Sequence, residues 1–170
     1  MIKSSLGKLH IPLHIVTQSV RCLVPNTIVS LATEWKSNYI FANVEHEVDE
    51  LRRDMATLDL CKQSGMNCVF TSDKCIVEPG ELKTKQGKPY AVYSPWLKNW
   101  LSTLHDHPEY LEEYPPPAPN LEAIHDSPTY SVLFSTPVPT SVDGFECIDK
   151  ENMEKLWPAG TDTAIKVLQP

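Results

Sequence analysis

Four groups of residues carry side chains that could do chemistry. Lys83, Lys85 and Lys88 interleave with Tyr90, Tyr93 and Trp96. Cations among stacking rings are the pattern of a single-strand nucleic-acid groove. A solvated loop whose aromatics fold onto a core is the simpler reading in an acidic chain. His105, Asp106, His107 and His125 are metal-ligand types. Their spacing matches no closed zinc pattern, so no metal site is expected. Glu112, Glu113 and Glu122 could pair as acid and base, but nothing sets them against a nucleophile. Glu45, Glu47, Asp49 and Glu50 crowd the front of an amphipathic segment, where carboxylates favour the positive end of a helix.

The whole chain bounds these readings. It has 170 residues, enough for one domain with a core. Its net charge of −7 repels a phosphate backbone, so direct nucleic-acid binding by this chain alone is not expected. Its five cysteines, Cys22, Cys61, Cys68, Cys75 and Cys147, are odd in number and form no Cys-x-x-Cys. Reduced thiols in a reducing compartment are expected. The opening MIKSSLGKLHIPLHIVTQSV is interrupted by His10, Pro12 and His14, and suits a buried strand better than a signal peptide. No stretch has the length of a membrane span.

The elements that must position such residues alternate. Leu9 to Val16 is a short apolar run and predicts a strand. Pro25 opens a helical pattern that stops near Asn38, and Tyr39 to Val44 predicts a strand covered on both faces. Val48, Leu51, Met55, Leu58 and Cys61 recur at three- and four-residue steps, a helix closed by Gly65. Asn67 to Phe70 predicts the third strand, with Cys75 to Val77 a short continuation. Ser94-Pro95 starts a helix through Leu104. From His107 to Pro139 prolines are dense and an extended linker is expected; Ala159 to Leu168 predicts a last short helix before Pro170. Strands alternating with helices give an α/β fold with a parallel sheet. Ligands of such sheets bind beyond the carboxyl ends of the strands, here at Asn43, Val44, Glu45, His46 and Glu47.

Four blocks carry a family resemblance: LHIPLHIVT, FANVEHEVDELRRD, CIVEPGELKTKQGKPYAVYSPWLKNW and LWPAGTDTAIKVL. In that order they resemble the N-terminal antenna domain of DNA photolyases and cryptochromes and the linker after it. The fungal cyclobutane pyrimidine dimer photolyases are most similar. The resemblance implies an incomplete Rossmann-like, doubly wound parallel sheet with flanking helices and a Pro-rich C-terminal linker. It divides the chain into a partial antenna domain at 1–106 and, at 107–170, a linker leading toward an FAD domain. The family's W-F-R-x-D-L-R strand, its second strand and its FAD domain have no counterpart in these residues. The chain is therefore expected to be a fragment, inactive alone, with neither Met1 nor Pro170 established as a true end.

The missing strands imply a physical difficulty. In a sheet ordered 3-2-1-4-5, strands one and two separate three from four. Leu9 to Val16 should then pair abnormally, pack loosely, or leave a chain that folds poorly. By resemblance, Asp49 and Glu50 match the pair that contacts a pterin antenna, methenyltetrahydrofolate; a deazaflavin is the other antenna of the family. The complete family enzyme binds FAD and repairs cyclobutane pyrimidine dimers in UV-damaged DNA with blue light. No residue here matches the flavin contacts, the electron-transfer tryptophans or the dimer pocket. Trp35, Trp96, Trp100 and Trp157 are expected to pack. Nucleus and cytoplasm are the implied location, with mitochondria second. The alternative is an antenna- or partner-binding module of cryptochrome type, without repair. An unrelated hydrolase is disfavoured, because no Gly-x-Ser-x-Gly elbow or Gly-rich phosphate loop occurs.

Overall fold

The structure, a computed structural model, describes residues 2–139, 141–142 and 144–168. Met1 and Pro170 lie outside the described residues. The described elements are α1 (Ile2–Gly7), α2 (Val24–Glu34), β1 (Tyr39–Asn43), α3 (Val48–Gln63), β2 (Asn67–Thr71), α4 (Tyr93–Asp106), α5 (Ser131–Ser135), α6 (Lys150–Leu156) and α7 (Thr161–Leu168). Short 3-10 turns sit at Arg21–Leu23, Pro108–Leu111 and Glu122–Asp126. The fold is α/β, an incomplete Rossmann-like arrangement with flanking helices. The chain divides into two compact units, Gln18–Pro115 and Met1–Thr17 with Pro116–Pro170.

The Gln18–Pro115 unit is built on one β-α-β crossover. β1 and β2 run parallel, in register from Tyr39 opposite Asn67 to Asn43 opposite Thr71. A parallel pair cannot be joined by a tight turn, so α3 must cross between its ends. Asp49 and Glu50 in the first turn of α3 and Lys62 in its last turn complement the helix dipole. Pro25, at the start of α2, suits a position whose amide has no helical partner. α2 packs against α3, and α3 also touches β2. Val29 and Ala32 of α2 and Asp54, Thr57 and Cys61 of α3 are buried.

Burial corrects two expectations from the sequence. β1 is not covered on both faces. Its side chains alternate exposed and half-buried, with Tyr39 56% and Phe41 70% exposed and their rings stacked at 5.8 Å. Of the apolar stripe that marks α3 as a helix only Cys61 is buried: Val48, Leu51, Met55 and Leu58 are exposed. A two-stranded sheet offers too narrow an inner face to cover the whole stripe.

Leu9 to Val16 is not a strand. α1 ends in a turn, and residues 11–18 then run without regular structure. Among the described residues the sheet has only β1 and β2. A lone extended run has no ladder to join, so its backbone finds other partners: Asn120 N–H donates to the Leu9 carbonyl at 2.8 Å. Cys75 to Val77 forms no strand either. Between His107 and Pro139, two 3-10 turns and α5 interrupt the expected extended linker.

Three helices end in the same way. After α3, Gly65 takes φ +69°, Met66 N–H donates to Cys61 O at 2.9 Å and Gly65 N–H to Lys62 O at 3.3 Å. This is the Schellman cap, which needs a left-handed residue. After α2, Lys36 fills that position at φ 55°, with Ser37 N–H on Ala32 O at 2.8 Å. After α1, His10 fills it at φ 55°, with Ile11 N–H on Leu6 O at 3.0 Å. A side chain with a Cβ is strained there by about 1–2 kcal/mol.

Burial against the inner face pushes the Cys68 thiol up from 9.0 to about 11, and the Cys61 thiol and Asp54 carboxylate push the same way. Such a thiol is a poor nucleophile. The five cysteines are free thiols in the structure.

Two outcomes are expected. Lys36→Gly should raise the urea midpoint, stabilising the Gln18–Pro115 unit by about 1 kcal/mol; a lowered midpoint would refute the left-handed cap. The folded unit holds the Cys68 proton more tightly than the unfolded chain does. Stability should therefore be complete below about pH 9 and fall as pH rises towards 11. Urea unfolding at about pH 8 and about pH 10.5 should show a smaller loss for Cys68→Ala than for the parent.

Candidate functional site

The carboxyl ends of β1 and β2 are where a ligand would enter such a sheet. Here the two ends are tied to each other. Val44 N–H donates to the Thr71 carbonyl at 2.8 Å. Asn43 Nδ2 donates to Asp73 Oδ2 at 3.1 Å, and Thr71 Oγ1 donates to Asn43 Oδ1 at 3.2 Å. Glu45 pairs with Lys74, whose ammonium holds the Glu45 carboxyl below its usual range. Asn43 and Glu45 are thus engaged by the segment that leaves β2. His46 and Glu47 remain exposed.

Asp49 and Glu50 lie one turn further on, at the head of α3. A cleft of about 350 Å³ opens beside them, lined by Arg21, Cys22, Pro25, Asp49, Arg52, Arg53 and Ala56. The 3-10 turn before α2 brings in Arg21 and Cys22, α2 supplies Pro25, and α3 supplies Asp49, Arg52, Arg53 and Ala56. Each arginine has a carboxylate. Arg21 pairs with Glu50, whose side chain is 18% exposed. Arg52 Nη1 donates to Asp49 Oδ1 at 3.2 Å. Arg53 donates to Asp54 Oδ1 from both Nε at 2.9 Å and Nη2 at 2.7 Å. The other Asp54 oxygen, Oδ2, is buried and accepts no hydrogen bond among the described residues.

The cleft is therefore densely ionic: three guanidinium forks and the Asp49 carboxylate line it, and Glu50 and Asp54 pair with two of those forks from outside the lining. Guanidinium forks fit carboxylates bidentately, and carboxylates accept N–H groups. Such a lining suits a ligand that carries both donors and an acid. The acidic pair stood out in the sequence. Arg21, Arg52 and Arg53 did not, because arginines near a helix front read as a solvated face and nothing local announced that Arg21 would reach Glu50.

The other candidates separate. Tyr93, Trp96 and Trp100 form a ladder along α4, with ring centroids 5.7 and 6.2 Å apart. Trp96 and Trp100 line a second open cleft of about 470 Å³ with the segment Lys74 to Leu82. Lys83, Lys85 and Lys88 lie on a loop pinned by Thr84 N–H to Lys88 O and Gly87 N–H to Thr84 O, both 2.8 Å. Trp157 is 74% exposed, in the other unit. A backbone hydrogen bond, helped by His107 Nδ1 at 2.9 Å from Glu109 Oε1, holds the Glu109 carboxyl low. His105 and His107 belong to one unit and His125 to the other. Among the described residues no three of His, Cys, Asp or Glu group about a metal position. Glu112, Glu113 and Glu122 are all exposed. No helix among the described residues is long and apolar enough to cross a membrane.

Comparison with known proteins matches residues 1–120 to the DNA photolyase family. The deoxyribodipyrimidine photo-lyase of Neurospora crassa is 35% identical over 175 aligned residues, 99% of this chain and 28% of that protein. That of Vibrio cholerae is 28% identical over 59% of this chain and 22% of its own length. The mitochondrial deoxyribodipyrimidine photo-lyase of Saccharomyces cerevisiae is 34% identical over 44% of this chain and 13% of its own length. The chain thus spans little more than a quarter of the longest-matched relative. With more than two thirds of its length matched, in a fold whose β-α-β unit fits, the chain belongs to the DNA photolyase family.

Proposed function

We propose that these 170 residues are the second half of the antenna domain, with its following linker, of an enzyme that repairs cyclobutane pyrimidine dimers. The complete protein would bind FAD and UV-damaged DNA and use blue light to drive electron transfer to the dimer. The observation that carries this reading is the match of nearly all of this chain, at 35% identity, to 28% of a photolyase. The domain division at 106/107 is part of the same proposal. Nucleus and cytoplasm are the proposed location, with mitochondria second, as one relative is described as mitochondrial.

The 170-residue polypeptide itself is proposed to be inactive in repair and to make no direct grip on DNA, given its charge of −7. Its own contribution would be to hold an antenna. The paired carboxylates at the head of α3 support this. Asp49 and Glu50 would accept hydrogen bonds from the aminopyrimidine edge of methenyltetrahydrofolate, and Arg21 or Arg52 would take its acid tail. A deazaflavin is the alternative antenna. The second reading, a cryptochrome-type module that binds an antenna or partner without repair, draws on the same cleft and on the exposed outer face of the sheet.

Two measurements separate these readings. Incubated with FAD and dimer-containing DNA under blue light, the 170-residue protein should leave the dimers intact; measurable repair would overturn the inactive reading. In equilibrium dialysis it should retain methenyltetrahydrofolate. Glu50→Gln should weaken that retention about tenfold, the cost of one charge-assisted hydrogen bond. Retention of deazaflavin alone would change the antenna, and retention of neither would leave the partner-binding module.

A further inference from the structure

The unit formed by Met1–Thr17 and Pro116–Pro170 brings together two imidazoles that no sequence spacing connects. His10 Nδ1 and His125 Nε2 are 3.1 Å apart, across 115 positions of chain. Their rings cross at 83°, with centroids 5.3 Å apart. We propose that this pair is a two-histidine chelate for a borderline divalent cation such as Zn²⁺ or Cu²⁺.

Geometry is the first support. Metal–imidazole bonds are about 2.0–2.1 Å, so two nitrogens on one ion lie about 2.9–3.4 Å apart for angles between square and tetrahedral. The observed 3.1 Å already falls inside that span. In the metal-free pair one ring donates an N–H to the other. To bind, the donor ring moves that proton to its remaining nitrogen, and both facing nitrogens then offer lone pairs. No net proton is released. Each ring must then turn by roughly 40° about its facing nitrogen, so that the two lone pairs meet on one ion beside the N···N line.

The backbone that carries His10 and the face of the His125 ring are also fixed by neighbours. His10 sits in the left-handed cap of α1 at φ 55°. Its carbonyl accepts a hydrogen bond from Asn120 Nδ2 at 3.0 Å, and Asn120 N–H donates to the preceding carbonyl of Leu9 at 2.8 Å. The Phe134 ring packs on the His125 ring, with centroids 4.1 Å apart. His125 also lies in a turn with Glu122 and Asp126, whose charges favour a cation.

No third His, Cys, Asp or Glu joins the pair among the described residues. The remaining coordination positions are therefore open to water or to an external ligand. Imidazole donors favour Cu²⁺ over Zn²⁺ by the usual order of stabilities. The inference is independent of the antenna reading, which concerns the other unit.

The test is calorimetric titration of the 170-residue protein with Zn²⁺, paired with electron paramagnetic resonance of the Cu²⁺ form. His125→Ala removes one ligand from an exposed site. His10→Asn removes the other and leaves the cap intact, since Asn tolerates the left-handed conformation. Circular dichroism would show that both variants keep the fold. The parent should bind one Zn²⁺ that either variant weakens about tenfold or more, and the Cu²⁺ spectrum should show two nitrogen ligands. Equal binding by parent and variants would place the metal on the thiols and overturn the proposal. Absence of binding by the parent would also overturn it, leaving the pair a hydrogen bond only.

Discussion

Everything in the Gln18–Pro115 unit depends on the fact that two parallel strands cannot be joined directly. α3 has to carry the chain from the end of β1 back to the start of β2, and so it begins where the strands end. That geometry puts the first turn of α3, with Asp49 and Glu50, at the rim where ligands of such sheets collect. It also presses the face with Asp54, Thr57 and Cys61 inward. The buried carboxylate, the thiol held protonated at Cys68 and the ionic cleft all descend from the path of this one helix.

Much of this path was legible in the residues. The three- and four-step recurrence from Val48 to Cys61 located α3, and Gly65 marked its end because glycine meets a left-handed cap without strain. Local pattern could not say which side of α3 would be covered. That depends on how many strands lie beneath it. Leu9 to Val16 failed for the same reason. An apolar run becomes a strand only beside another strand, and here its backbone bonds to a cap and to Asn120 instead. Lys36 and His10 gave no signal as caps, since neither residue type announces a positive φ.

The candidate site divides along the same line. Asp49 and Glu50 were visible because they are neighbours at a helix front. Arg21 was not, because its pairing with Glu50 joins segments 29 residues apart, and the burial that orphans one oxygen of Asp54 is set by packing rather than by local pattern. The two carboxylate–guanidinium pairs at the cleft rim are exposed on at least one side, so each stabilises the fold only weakly. Their organised charge contributes more to what the cleft could recognise than to holding the helices together.

The two units differ in how they are threaded. Gln18–Pro115 is continuous in sequence, whereas the other unit is assembled from residues on both sides of it. During synthesis the inner unit is complete before the second half of the outer one exists. At the usual pace of a ribosome, roughly a hundred residues take about 5–20 s. For that interval residues 2–17, with their apolar run and His10, exist without the segment that will receive them. Residues 2–17 thus find their place only after a unit that follows them in sequence has been made.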